Sequence, residues 1–514
     1  MKKFIYTITG ITLLSLSSCS DFLEPKSQSE YVPKDANALQ EMLIGSAYPQ
    51  HKSGNNLLGF LSFLDDDVQF HKSGYEFDSN SLGYIESKKA VFTWQPDMFF
   101  TMEKNSPVVY NIWEGYYKFI LGANAALDYI GDVSGTKAEK DYVIAQALGL
   151  RAFYYFMLVN HFGVPYNYNK QAAGVPLKLT SDLQPEEELL IPRNSVEEVY
   201  NQIIADLTEA EQLFLSLSKD KQYEPNYLIS LPMIQLLKSR VYLYMENWKD
   251  AAAYADKVIN DWTFSLIDLN NLPSASTAEP YYNFTSYKSS EVIWLYGNVS
   301  DLTEFNNETV SHEEEDPFGG TTTYYRKAFI ASDNLLESFK DGDLRKEKYI
   351  AKEYDRENRS FYPNDYSSFG KYQLSTTGEP NGSENFALSF RLSEAYLNLA
   401  EASANNNEEN KALSAIRTLL EKRYEPGKLA IPDGLTGETL KDFIKAERRK
   451  ELCFEGQRWF DLRRYGMPQI THEWEGKTYT LKNNDPSYTI PIPDEVLIKN
   501  KRLEQNPLAP KREN

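Results

Sequence analysis

The sequence predicts an all-α fold in which helical hairpins of tetratricopeptide type form a scaffold and long irregular loops form its surface. Three observations carry that prediction. Past about residue 35, apolar residues recur three and four apart over most of the chain, the period of amphipathic helices. Two stretches, 228–260 and 386–423, repeat one plan: a helix, a short polar break ("MENW" or "NNNEEN"), then a helix opening on small residues. Between the periodic segments lie loops rich in Gly, Asn, Pro and aromatics, of a length that is uncommon unless functional.

The first 18 residues read as a targeting signal. Lys2 and Lys3 precede the apolar run "FIYTITGITLLSL", which is too short to span a bilayer. It ends in "LSSC", which resembles a bacterial lipobox, so Cys19 is the expected lipidation site. Stable anchoring takes more than one acyl chain. Residues 19–34 are acidic and polar, a lipidated tether. Of the two cysteines, Cys453 then stands alone, and no internal disulfide is expected.

Helices follow at 35–48, 108–130, 137–163 and 195–214, the last opening on Ser195 and Glu198 in capping-box spacing. Next come the two hairpin stretches, where small residues let paired helices approach closely. A further helix begins near Thr439 and continues into "ERRKELCFEGQRWFDLRRYG" (447–466). The irregular insertions are 51–107, 164–192, 261–330, 344–385 and 467–514. Recognition residues tend to sit on such loops, held by a rigid frame.

The formal net charge is −20 with no basic cluster, which argues against nucleic acid. The five histidines show no metal-ligand spacing. "HEEED" (312–316) could offer oxygen to a structural calcium but lacks the spacing of a dedicated loop, so no metal or cofactor is expected. No nucleophile elbow, phosphate loop or dinucleotide fingerprint is present. Carboxylate pairs carry no information among 74 acids, and an enzyme is not expected.

Sugar capture combines aromatic faces with polar side chains, and the loops supply both. The candidates are Asp66, Asp67, Tyr75 and Trp94 in the first insertion, and Tyr282, Tyr324 and Arg326 in the third. Core packing is the competing reading for each, and for Trp94 above all. The stretch 447–466 crowds acids, bases and the rings of Trp459 and Phe460 together. Helical spacing sets Arg448 near Glu451, Glu455 near Arg458, and Arg458 near Asp461. Charges paired within one helix make poor general acids or bases, so scaffolding is favoured over catalysis. Gly456 in mid-helix implies a kink or a close contact.

"RRKELCFEGQRWFDLRRYG" resembles the C-terminal signature of the SusD/RagB family of outer-membrane nutrient-binding lipoproteins. In the expected order, "CSDFLEP", "LRAFYYFMLVNHFGVP", "SVEEVYNQIIADLTEAE", "SRVYLYMENWKDAAAYADKVI", "RLSEAYLNLAEA" and "YTIPIPDEVLIKNKRLEQNP" support the resemblance. It implies one SusD-like domain over 35–514, with an N-terminal part to about 260 and a C-terminal part from about 261. Four tetratricopeptide-like helix pairs would face one way and ligand-binding loops the other. The lipoprotein would sit on the exterior of the outer membrane and cap a SusC-like TonB-dependent barrel. There it would capture an oligosaccharide or polysaccharide and deliver it to the barrel; a peptide or other nutrient is the alternative cargo. Ser414 stands where the family often has Asn, and the loops at 51–107 and 261–330 match only loosely, so the ligand itself does not carry over.

Overall fold

Helical hairpins order the chain from its first described helix onward. The computed structural model describes residues 33–49, 57, 60–71, 76–77, 82–105, 112–182, 190–272, 284–297, 309–315, 318–355, 360–367, 371, 386–429 and 431–512. Among the described residues, the helices longer than two turns or nearly so are α1 (Ala36–Ala47), α2 (Leu82–Phe92), α3 (Met98–Asn105), α4 (Ile112–Tyr129), α5 (Lys137–Phe162) and α6 (Val196–Ser216), with shorter single-turn helices between them. They continue as α7 (Leu231–Tyr244), α8 (Trp248–Asn260), α9 (Leu392–Asn405), α10 (Glu409–Leu420), α11 (Gly437–Leu452) and α12 (Arg458–Arg464). Packing runs from pair to pair: α1 on α4, α4 on α5, α5 on α6, then α7 on α8, α8 on α9, and α9 on α10 and α11.

Local chemistry sets these boundaries. Ser195 and Glu198 close the expected capping box at the start of α6, with Ser195 N–H donating to the Glu198 carboxylate at 2.7 Å. Close approach in the hairpins rests on small residues, as expected. Ala251 and Ala255 on α8 are fully buried, and Ser239 on α7 donates its hydroxyl to the Ala251 carbonyl at 2.8 Å. The two hairpin turns match position for position. Glu246 and Asn407 both sit two residues past a helix end with φ of 58° and 61°, and the next helix starts two residues later. Helix α5 is apolar enough to cross a membrane by composition, yet its most apolar stretch is 89% buried, the mark of a core helix.

Strands are the departure from a purely helical reading, and all are short. They are β1 (Val68–Phe70), β2 (Glu76–Phe77), β3 (Val292–Tyr296), β4 (Thr309–Glu315), β5 (Thr321–Lys327) and β6 (Phe329–Ala331). Then follow β7 (Ala351–Asp355), β8 (Ser360–Ser367), β9 (Leu388–Arg391), β10 (Ile470–Trp474) and β11 (Lys477–Leu481). They form small antiparallel ladders, β1–β6, β2–β4–β5, β3–β9, β7–β8 and β10–β11, confined to the expected insertions and to the start of 386–423. The first insertion also holds α2 and α3, which its composition had hidden.

One hydrophobic core runs from Leu39 to Leu503 and joins the hairpins to the loop region. The helix expected over 439–466 is two helices. Between α11 and α12 the chain turns through Phe454 and Gly456, with φ of 63° and 69°. Gly456 therefore serves a left-handed turn, where the absence of a side chain removes strain.

Candidate ligand-binding face

The α11–α12 stretch holds the loop region to the hairpins by buried charge. Five cations (Arg345, Lys371, Arg391, Arg423, Lys450) meet five acids (Glu291, Asp343, Glu447, Glu451, Glu455). Glu451 sits at the centre. Its carboxylate accepts from Arg391 at 2.7 Å, from Arg423 twice at 3.0 Å, and from the Tyr349 hydroxyl at 3.0 Å. Burial alone would raise its pKa, but the Arg423 and Arg391 guanidiniums hold it well below the usual carboxylate range. Glu455 takes Lys371 and Arg391, each at 2.6 Å, and is held low in the same way. Acids so engaged stay ionised and are poor proton donors or acceptors.

The partners differ from those expected along one helix. Arg448 bonds Asp461 at 2.8 Å, Asn398 at 2.8 Å and Gln457 at 3.0 Å rather than Glu451. Arg458 grips Asp66 bidentately at 2.6 and 2.9 Å rather than Glu455 or Asp461. Only the Glu455–Arg458 spacing crosses the turn at Gly456; within α11 and α12 themselves, Arg448 and Arg458 reach partners beyond their own helix. Side chains from five separate segments then converge on the gap.

Asp66 and Asp67 belong to this anchoring. Asp67 is fully buried and accepts from Arg449 at 2.8 Å, while the Asp66 carbonyl accepts from Arg449 at 2.7 Å and from the Ser332 hydroxyl at 2.7 Å. Burial pushes the Asp66 carboxyl up, yet Arg449 and Arg458 prevail and bring it down to about 2. Neighbouring Asp65 goes the other way, raised by burial and then by the Asp67 and Asp66 charges. Both candidates thus tie the first insertion to α11 and α12. Trp94 is likewise corrected to an internal role. It is 0% exposed, its indole N–H donates to the Leu64 carbonyl at 2.9 Å, and its ring stacks on His472 with centroids 4.2 Å apart. Phe92 covers the opposite side of His472 at 4.0 Å. A side chain so enclosed has no face left for a ligand.

The structure does bring the first and third insertions together. Val68, Gln69 and Phe70 pair with Ala331, Ile330 and Phe329, and Phe77 pairs with Val310. On β5, Tyr324 lies opposite His312 and Arg326 opposite Val310, so Phe77, Val310 and Arg326 share one cross-strand row. Cys19, Tyr75 and Tyr282 lie outside the described residues.

One residue that composition did not single out stands at the tip of the β4–β5 hairpin. Phe318 is 97% exposed beside Gly319, whose φ is 80°. It is the most exposed large apolar side chain among the described residues, at a hairpin tip within the third insertion. The sequence signal was present, a large apolar residue against two glycines in "DPFGG", but it lay between the acids of "HEEED" and the Tyr324–Arg326 run, for which the tract was read.

Comparison with known proteins agrees with this architecture along nearly the whole chain. A model described as "SusD family" matches residues 312–508, and one described as "Starch-binding associating with outer membrane" matches residues 21–243. SusD-like protein P38 of Formosa agariphila is 24% identical over 499 residues, covering 90% of this chain and 92% of the relative. SusD-like protein P2 of the same organism is 26% identical over 453 residues, covering 79% and 82%. Among solved structures, a SusD-like carbohydrate binding protein from Bacteroides vulgatus superposes with a TM-score of 0.64 at 22% identity, covering 91% of this chain and 97% of that one. A SusD superfamily protein from the same species gives a TM-score of 0.69 at 20% identity, covering 93% and 100%.

Proposed function

Since the chain belongs to the SusD/RagB family, we propose that it is a glycan-binding lipoprotein of the outer-membrane surface. It captures an oligosaccharide or polysaccharide on its loop face and delivers it to a SusC-like TonB-dependent barrel. Lipid on Cys19 holds it to the membrane with the loop face outward. The observation that carries the reading is the loop face itself: two insertions joined by strand pairing, anchored to the hairpins by buried ion pairs, and raising Phe318 into solvent.

Capture of this kind stacks aromatic rings on the C–H faces of a pyranose while polar groups bond its hydroxyls. It makes and breaks no covalent bond, and the charges of the α11–α12 stretch are spent on one another. Tyr75, Tyr282, Tyr324 and Arg326 remain proposed contacts beside Phe318.

Titration of the purified protein with an oligosaccharide panel tests the reading. Phe318→Ala is expected to weaken binding by about 1–3 kcal/mol, the scale of burying one aromatic side chain, with melting temperature unchanged. Retention of peptides with no response to any glycan would replace the ligand class. In cells, Cys19→Ser is expected to move the protein from the membrane to the soluble fraction; continued membrane retention would remove the anchor from the proposal.

A further inference from the structure

A cavity of about 300 Å³ lies where the α7–α8 turn meets the ends of α9 and α12 and the side of α11. Its wall is a saturated cluster. Arg464 grips both oxygens of Glu401, Tyr465 donates its hydroxyl to Glu401 at 2.9 Å, and Arg464 also bonds Asp461 at 2.8 Å. With Arg448 on the other oxygen of Asp461, two cations meet two acids and all four are fixed in place.

The remaining lining residues have capacity to spare. The half-buried Trp248 indole N–H has no hydrogen-bond partner among the described residues. Glu246 accepts a single bond, from the Asn167 amide at 2.9 Å, which leaves one carboxylate oxygen and the Asn167 carbonyl open. Asn405 donates to the Glu401 carbonyl at 2.9 Å and keeps its own side-chain carbonyl. Lys445 bonds Asp442 at 3.1 Å, lies over the Tyr465 ring at 5.4 Å, and retains N–H to offer. Glu246 holds its place at a left-handed φ of 58°, a conformation costing a non-glycine residue on the order of 1–2 kcal/mol.

We propose that this cavity is a second binding site, taking a single neutral polyhydroxylated ring such as a monosaccharide. A bare anion would meet Glu246 and a bare cation would meet Lys445. Hydroxyl groups both donate and accept, so they match a wall offering both, and the Trp248 ring suits the C–H face of a pyranose. The volume lies at the lower end of ligand pockets, which run from about 300 to 1,000 Å³, and so fits a ring rather than a chain. The inference stands apart from the loop-face reading, because it uses neither that face nor its ligand.

Saturation-transfer NMR and titration on the full chain test it, with D-glucose, D-galactose and N-acetyl-D-glucosamine as probes and glycine as a zwitterionic control. At least one monosaccharide is expected to bind. Trp248→Ala and Glu246→Gln should each weaken that binding about tenfold or more. Trp248→Phe, which keeps a ring, should retain most of it. Absence of monosaccharide binding, insensitivity to Trp248→Ala in a protein of unchanged melting temperature, or displacement by glycine would overturn the proposal. Failure of the loop face reads out separately, as oligosaccharide binding indifferent to Phe318→Ala.

Discussion

Trp94→Ala is expected to destabilise the protein by about 3–5 kcal/mol, read as a fall in urea midpoint, because it empties an enclosed site. The lost stack on His472 and the orphaned Leu64 carbonyl add to the cavity. A midpoint unchanged by the substitution would return Trp94 to the list of surface residues. Its role was illegible in the sequence for a specific reason. A tryptophan in a loop of mixed composition has the same neighbours whether its ring points in or out. The decision lies with His472, nearly four hundred residues away, and no local period reports that contact. Phe318 is the converse case, an exposed ring whose flanking glycines were legible all along.

Helices show what local pattern can and cannot specify. The paired helices of 228–260 were legible because amphipathic period, small residues and polar breaks all act within one hairpin. The matching left-handed positions at Glu246 and Asn407 were not legible, because the polar breaks differ in length in the sequence and only the helix ends reveal their common spacing. Around Gly456 the same period misleads, since Leu452 and Phe460 continue the apolar spacing across a turn. Gly456→Ala is expected to cost about 1–2 kcal/mol, from the left-handed conformation alone. An added methyl would meet only Leu61 and Leu388, at 3.6 and 3.8 Å, which is ordinary contact. Thermal unfolding measures this; no change in melting temperature would show that the turn relaxes freely. The charge partners were illegible too, because opposite charges in a low-dielectric interior pair by spatial proximity rather than by sequence interval.

At the scale of the molecule, the buried charges join segments far apart in the chain. Glu451, like Glu291, links Arg391 at the end of β9 with Arg423 beyond α10. Glu451→Gln leaves these cations short of a counter-charge, and a loss of about 3–5 kcal/mol is expected. Both guanidiniums hold the folded carboxyl below its unfolded value, so its contribution is complete above the ordinary carboxylate range. The contribution disappears only as pH falls through the lower folded value. Wild type and variant should therefore differ equally at neutral and mildly acidic pH, and a difference that vanished near pH 5 would contradict this. Tight neutralisation inside also means that added salt should change the difference little.

Cys453 lies against this network. It is fully buried, its carbonyl is held by Lys371 at 2.9 Å, and burial pushes its thiol up to about 12. No reagent in solution reaches a sulfur so placed until the ion pairs around it separate. The thiol is therefore a native clock for that event: its alkylation rate under native conditions measures how often the loop region lets go of the hairpins.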